Sequence, residues 1–356
     1  MNIRSIAVHQ FRNFEQAGPI SFPSAPLLAL LAPNASGKTN FLEAIVMLLR
    51  AKSFRSRAQE CVEWGKDNFT VQGSVDYGEG AMKLSVQYAA HNQTMHIKEN
   101  NAPVSPVTFF GHYPLVLFLP EDAFLFSRGP AGRRNFINSS LAGSRPYLGS
   151  VVQYHRALRQ RNAALKRTQD SSEIEPWTEL LATHAEALWA HRKPFVDYLA
   201  ARIPALYAEL FEEELPLTIS FIPGASDTET FRELLSQAWP YEKRYRYTLY
   251  GPHRDDIEVR VDGRPVLSTL SRGQMRGLVL AAKVAAYGFM KQSLGQEPLL
   301  LFDEVMGELD PDRQQRLLSH LPSSQTIITC TSIPQEVASR SDAAVLDVRS
   351  FVKTPA

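Results

Sequence analysis

Cysteine is scarce. Cys61 and Cys330 are the only two among 356 residues, and they lie far apart with no ligand-like spacing. That argues against a disulfide framework or a cysteine metal site and fits a reducing compartment. Surplus charge is also missing. The chain carries 38 Lys and Arg against 37 Asp and Glu, a formal net charge of +1. Any nucleic-acid surface must therefore be local. No apolar run approaches the length of a bilayer span. The start, MNIRSIAVHQFRNFE, mixes charges into its apolar residues and has no secretory h-region. There is no internal repeat and no low-complexity tract. The remainder is ordinary, 44% hydrophobic and 21% charged, with length enough for two lobes. A cytoplasmic protein is expected.

Periodicity divides the chain in three. Near the start, Ile3, Ile6 and Val8 break up polar residues as in a strand, and PLLALLAP (26–33) is a short buried strand. Residues 69–99 alternate as half-buried strands, with AAHNQ as a hairpin turn. YPLVLFLPED (113–122) is a further buried strand. Between about 133 and 243 the apolar spacing turns helical, and from about 244 strands are expected again in YRYTLYGP, DIEVRVDG, PLLLFDEV, QTIITC and AAVLDVRS, with a helix over 272–293. The simplest architecture is an α/β lobe over 1–125 and 244–356, with a helical lobe inserted at 126–243.

Ala32-Pro33-Asn34-Ala35-Ser36-Gly37-Lys38-Thr39 follows the second strand and opens a helix in which Leu42, Ile45, Val46 and Leu49 form an amphipathic face. Strand, glycine-containing loop and helix are the context of a phosphate-binding loop. Backbone N–H groups from Asn34 to Asn40 would turn toward phosphates at a helix N-terminus. Lys38 would reach the β- and γ-phosphates, and the Thr39 hydroxyl would ligate Mg²⁺. Ala32 and Ala35 stand where such loops usually carry glycine. If position 35 needs a positive φ, alanine there costs roughly 1–2 kcal/mol. Charge-assisted phosphate contacts are worth about 1.5–3 kcal/mol each, so nucleotide binding is expected to survive.

Two distal segments complete the pattern. PLLLFDEV (298–305) ends an apolar strand in Asp303, suited to hold Mg²⁺, and Glu304, suited to orient and deprotonate an attacking water. In TLSRGQMRG (269–277), Ser271, Gly273 and Gln274 offer a second anion site at a helix start; a plain N-cap at Ser271 is the competing reading. ELDPDRQ (308–314) adds an acidic turn, in which Asp310 either faces a second copy or caps a helix.

This order of elements resembles ABC-type ATPase heads of the SMC kind, although the helical stretch 133–243 is too short for their coiled coils. The resemblance is closer to the RecF family of bacterial DNA replication and repair proteins. HQFRNFE (9–15), AKSFRSR (51–57), PEDAFLFSRGPAGRRNFIN (120–138), QYHRALRQRNAALK (153–166) and LYGPHRDDIEV (249–259) carry it. SRGQMRG departs from a more usual Ser-x-Gly-Gln-Gln-Arg but keeps Ser271, Gly273, Gln274 and Arg276. The resemblance implies a P-loop ATPase that dimerises on ATP, each nucleotide held between one copy's phosphate loop and the other's Ser271 segment. It also implies binding of double-stranded DNA near single-strand gaps, slow DNA-stimulated hydrolysis, support of RecA loading, and RecR and RecO as partners. Arg12 and Asn13 would either touch the nucleotide or form a structural turn.

For DNA, Arg156, Arg159, Arg161, Lys166 and Arg167 form a stretch without acids, a phosphate-neutralising stripe or a solvated helix face. Lys52, Arg55 and Arg57 form a second cluster; in related heads an arginine at the place of Arg55 couples DNA to nucleotide, and a surface salt-bridge donor is the competing reading. His253 in GPHRDD is expected to make core hydrogen bonds. A nuclease of the overcoming-lysogenization type is not expected, since no toprim-like acidic cluster follows Asp310. A RecF-fold DNA-binding scaffold with an impaired ATPase remains the alternative.

Overall fold

The computed structural model describes residues 1–78, 80–167, 170–321 and 325–351. In chain order the elements are β1 (Asn2–Phe11), β2 (Phe14–Ser21), β3 (Leu27–Leu31), α1 (Lys38–Arg50), β4 (Asn68–Tyr77), β5 (Gly80–Ala89), β6 (Thr94–Glu99), β7 (Ala102–Val104), α2 (Pro106–Phe109) and β8 (Leu115–Phe118). There follow α3 (Pro130–Leu141), α4 (Arg145–Arg167), α5 (Glu175–Phe211), β9 (Leu217–Ile222), α6 (Thr228–Tyr245), β10 (Asp256–Val261), β11 (Arg264–Pro265), α7 (Val266–Thr269) and α8 (Arg272–Leu294). The chain closes with β12 (Leu299–Asp303), α9 (Pro311–Ser319), β13 (Thr326–Cys330), α10 (Gln335–Ala338) and β14 (Ala343–Asp347).

Two compact units result, Met1–Asp122 with Met290–Ala356, and Ala123–Phe289. The first unit holds two sheets. One is antiparallel, in the order β2-β1-β4-β5-β6-β7; the other is parallel, β14-β3-β13-β12-β8. The parallel strands β3, β12 and β13 are short apolar runs, as strands covered on both faces must be. Helix α1 packs against β4 and β5 of one sheet and β12 and β13 of the other. Every residue from Phe41 to Leu49 is therefore buried. The amphipathic helix expected here is instead apolar nearly all round, because it lies between two sheets.

The second unit contains α3 to α7, most of α8 and the sheet β11-β10-β9. Its extent differs from the inserted lobe read from the sequence, which ended at 243. Strand β10 pairs with β9 from Asp256↔Ile222 to Val261↔Leu217, and this ladder keeps the segment after 244 with the helices. The strand expected at YRYTLYGP is absent. Helix α6 runs to Tyr245, and a short 3-10 turn, Pro252–Arg254, follows.

The GPHRDD turn is held from within its own unit. Asp255 is fully buried and accepts from the Gly224 N–H at 2.7 Å, from Trp189 Nε1 at 3.0 Å and from Arg192 Nη1 at 2.7 Å. Arg192 also donates to the Pro252 carbonyl and to Tyr147 Oη. His253 does what its position suggested: it accepts from the Tyr154 hydroxyl at Nδ1, 2.7 Å, and donates from Nε2 to the Thr248 carbonyl, 3.1 Å. Gly251 has φ +119, and a Cβ there would meet Tyr154 Oη at 2.6 Å, so only glycine fits.

Candidate nucleotide site

The register of the parallel sheet builds the site. β13 lies between β3 and β12, with Thr329 beside both Leu30 and Asp303. The loop leaving β3 thus runs beside the carboxylates leaving β12. Pro33, Asn34 and Ala35 are exposed on it, while Ala32 is buried and bonded through its N–H to the Cys330 carbonyl, 3.2 Å. That burial explains why a small residue suffices at position 32. Ala35 has φ 62, the left-handed backbone that glycine usually supplies. Arg12 (φ 56) and Glu304 (φ 55) share that conformation, so three non-glycine residues around one site carry backbone strain. Gly37 has φ +97, and a Cβ there would meet the Asn13 amide at 2.6 Å.

The loop's cation and hydroxyl face the two acids. Lys38 Nζ, almost wholly buried, lies 3.0 Å from Glu304 Oε1 and donates to the Ala32 and Pro33 carbonyls at 2.8 and 3.0 Å. Thr39 Oγ1 donates to Asp303 Oδ2 at 2.9 Å. Thr329 Oγ1 donates to Asp303 Oδ1 at 2.8 Å and accepts the Glu304 N–H at 2.9 Å. Burial pushes the Asp303 carboxyl up, against the pull of the Thr329 and Thr39 hydroxyls. No Lys or Arg among the described residues pairs with Asp303. A buried carboxylate flanked by hydroxyls and lacking a cation fits a hard divalent ion. Among the described residues no three His, Cys, Asp or Glu side chains converge to hold a metal alone. Such an ion would therefore share Thr39 and Asp303 with phosphate oxygens.

Beside the loop is a cleft of about 550 Å³ lined by Arg12, Asn13, Asn40, Arg55, Glu60 and Trp64, among others. Asn13 accepts from the Asn40 amide at 2.6 Å. Beneath it, Glu43 of α1 is fully buried. It accepts from Arg12 Nε and Nη2 at 2.9 and 2.8 Å, from Arg55 Nη2 at 2.7 Å and from Ser53 Oγ at 2.5 Å. Burial raises the Glu43 carboxyl, but these donors together hold it below its ordinary value. Arg55 also bonds the Asn40 side chain. Arg12 and Arg55, expected at nucleotide and DNA respectively, are thus joined through one acid. Sequence reading missed Glu43 and Thr329. A lone Glu within an apolar helix was the available signal for the first; strand register alone reveals the second. Arg57 is exposed nearby.

In the second unit, Ser271 and Gln274 cap α8 reciprocally: the Gln274 N–H donates to Ser271 Oγ at 3.2 Å, and Gln274 Oε1 accepts the Ser271 N–H at 2.9 Å. Gly273 is exposed, and a Cβ there would meet only Ser271 Oγ, at 4.0 Å. Asp310, in the first unit, is an N-cap to α9. On α4, Arg156, Arg159 and Lys166 are exposed, but Arg161 is not. It is buried against Glu242 at 2.7 Å and donates to Thr178 and Thr248, so it is a core ion pair rather than part of a DNA surface. A charge two positions from Arg159 falls on a different helix face.

The model of the RecF/RecN/SMC N-terminal domain family matches residues 2–350. The chain is 33% identical to the DNA replication and repair protein RecF of Moorella thermoacetica, covering 91% of this chain and 89% of that one. It is 32% identical to RecF of Staphylococcus epidermidis over 94% of each. Among solved structures it is similar to the recombination mediator protein RecF bound to ATP, TM-score 0.86 at 28% identity, over 94% of this chain and 93% of that one. An Smc head domain from Pyrococcus furiosus shares the fold, TM-score 0.51 at 15% identity, over 93% and 90%.

Proposed function

The chain belongs to the RecF family, and from that premise we propose that it is a cytoplasmic, ATP-dependent DNA-binding protein of DNA replication and repair. The observation that carries the nucleotide chemistry is the pairing of Lys38 with Glu304 and of Thr39 with Asp303. Lys38 exchanges its loop carbonyls for the β- and γ-phosphate oxygens. Backbone N–H groups from Asn34 to Asn40 cradle the phosphates, and base and ribose take the cleft lined by Arg12 and Asn13. Thr39 and Asp303 would hold Mg²⁺, which would neutralise charge on the phosphates. Glu304 orients the attacking water and accepts its proton.

Ser271, Gly273 and Gln274 close over the nucleotide of a second copy, so ATP makes the dimer. Ser271 and Gly273 are exposed at the start of α8, which supports this, while Gln274 is half-buried and its amide donates to Glu213 at 2.6 Å. DNA phosphates meet Arg156, Arg159 and Lys166 of the second unit, and Arg55 and Arg57 of the first. Duplex DNA beside a single-strand gap is the preferred site, DNA speeds a slow hydrolysis, and RecO and RecR act with it in loading RecA. The relatives' role in DNA replication and repair, and the place of a solved RecF in the RecFOR pathway, support a DNA role with RecO and RecR as partners.

Light scattering with and without ATP, and phosphate release with and without gapped duplex, test the reading on wild type and Lys38→Met. An ATP-driven dimer and DNA-stimulated turnover, both lost in the variant, are expected. Identical behaviour of the two proteins would leave only the scaffold reading.

A further inference from the structure

One exposed group in the second unit has no part in that chemistry. Tyr241, Tyr245, Tyr247 and Tyr250 are 59%, 50%, 42% and 37% exposed. In YEKRYRYTLY they alternate with Lys243, Arg244 and Arg246. Tyr241 and Tyr245 are four residues apart on α6 and share a face. The helix stops at Arg246, φ 62, and the chain turns so that the Tyr247 ring lies 6.0 Å from that of Tyr245, tilted by 32°. The Arg244 guanidinium sits 6.0 Å from the Tyr245 ring centre, and that of Arg254 sits 5.6 Å from Tyr247. Arg244, Tyr245, Tyr247 and Arg254 form a continuous row of cation, ring, ring and cation.

The acids of this region are turned away. Glu242 is buried on Arg161, Asp255 on Arg192, and Asp256 pairs with Arg133 at 2.6 Å. Among the described residues no acid pairs with Lys243, Arg244, Arg246 or Arg254. The row is therefore a positively charged aromatic surface. Such a surface suits an occupant with anionic charge and free flat faces. Duplex bases are stacked on each other and offer no such face, whereas those of a single strand do.

We propose that residues 241–250 with Arg254 form a stacking site for single-stranded DNA. The proposal deepens the DNA-binding reading above. Arg254 is the outward residue of GPHRDD, whose His253 is bonded to Tyr154 of α4. The tyrosine row and the exposed arginines of α4 are thus mounted on one brace, the first for a single strand and the second for duplex phosphates.

Anisotropy of a fluorescent 20-mer of dT and of a 20-base-pair duplex tests this on the full chain, with and without Mg²⁺ and ATP. Tyr245→Ala/Tyr247→Ala weakens single-strand binding about tenfold or more, in line with base–aromatic stacking, and leaves duplex binding unchanged. Tyr245→Phe/Tyr247→Phe binds like wild type. Arg156→Glu/Arg159→Glu does the reverse, losing duplex and keeping the single strand. Bromodeoxyuridine crosslinks from the single strand map to 241–254. Wild type that binds single strand but not duplex upholds this site and sinks the duplex reading. Unchanged single-strand affinity in the alanine variant, equal loss on both DNAs, crosslinks only elsewhere, or no single-strand binding by wild type overturns the site.

Discussion

Thr329 joins the two acids of the candidate nucleotide site: its hydroxyl donates to Asp303 at 2.8 Å and accepts the Glu304 backbone N–H at 2.9 Å. It comes from β13, one strand over from the acids it orients. Thr329→Val is isosteric and leaves both groups without that partner, a cost of about 1–3 kcal/mol. The expected outcome is slower phosphate release and a higher Mg²⁺ requirement, with Thr329→Ser restoring both. A Mg²⁺ titration of turnover checks it; an unchanged titration would show that Asp303 is positioned without the hydroxyl.

Glu304→Gln keeps the shape and removes the base. Nucleotide binding is expected to persist while turnover falls roughly 10²–10⁴-fold, the usual contribution of general base catalysis. Phosphate release alongside equilibrium nucleotide binding makes the distinction. Equal turnover in wild type and variant would favour the scaffold with an impaired ATPase.

Ala35 sits at φ 62. Ala35→Gly relieves roughly 1–2 kcal/mol of backbone strain and loses about 0.4–1 kcal/mol through a looser unfolded chain. Stability should rise slightly or stay level, and nucleotide affinity should not fall. A thermal melt and a nucleotide titration read both, and a marked loss of affinity would mean that the alanine side chain itself shapes the loop.

Arg161 and its helix neighbours should separate cleanly. Arg161→Ala strands Glu242 as a buried charge and is expected to cost about 3–5 kcal/mol of stability. Arg156→Glu or Arg159→Glu, on the exposed face, should shift stability by no more than about 0.5 kcal/mol while weakening duplex binding. Denaturant midpoints measured with DNA affinities decide this.

Burial holds the His253 imidazole down to about 4, below its ordinary value of 6.5. Between those values the unfolded chain binds a proton that the folded chain does not. Folding stability is therefore full above pH 6.5 and is lost as pH falls toward 4, by up to roughly 3 kcal/mol. Denaturation of wild type and His253→Gln across this range should show a shallower slope in the variant, and parallel slopes would assign the loss to other groups.

Much of this was legible in the sequence, for physical reasons. GKT after a buried strand, and a strand ending in Asp303-Glu304, need only local chain geometry, and the fold placed both as read. Segments whose meaning depends on a distant partner were not legible. YRYTLYGP has strand-like composition, but α6 extends through Tyr245 and the tyrosines then turn outward. Glu43 reads as a helix charge until Arg12 and Arg55 are seen to close on it.

The sequence by itself determined the loop proposed to hold phosphate, its strand and helix, and the paired carboxylates at a strand end, because backbone and apolar spacing encode these within a few residues. Only the tertiary structure decided which charges face water. Arg159 and Arg161 are two residues apart on one helix, yet one is solvated and the other is locked on Glu242. A charge's role depends on the partner that folding brings to it, and that partner lies 81 positions away in the chain.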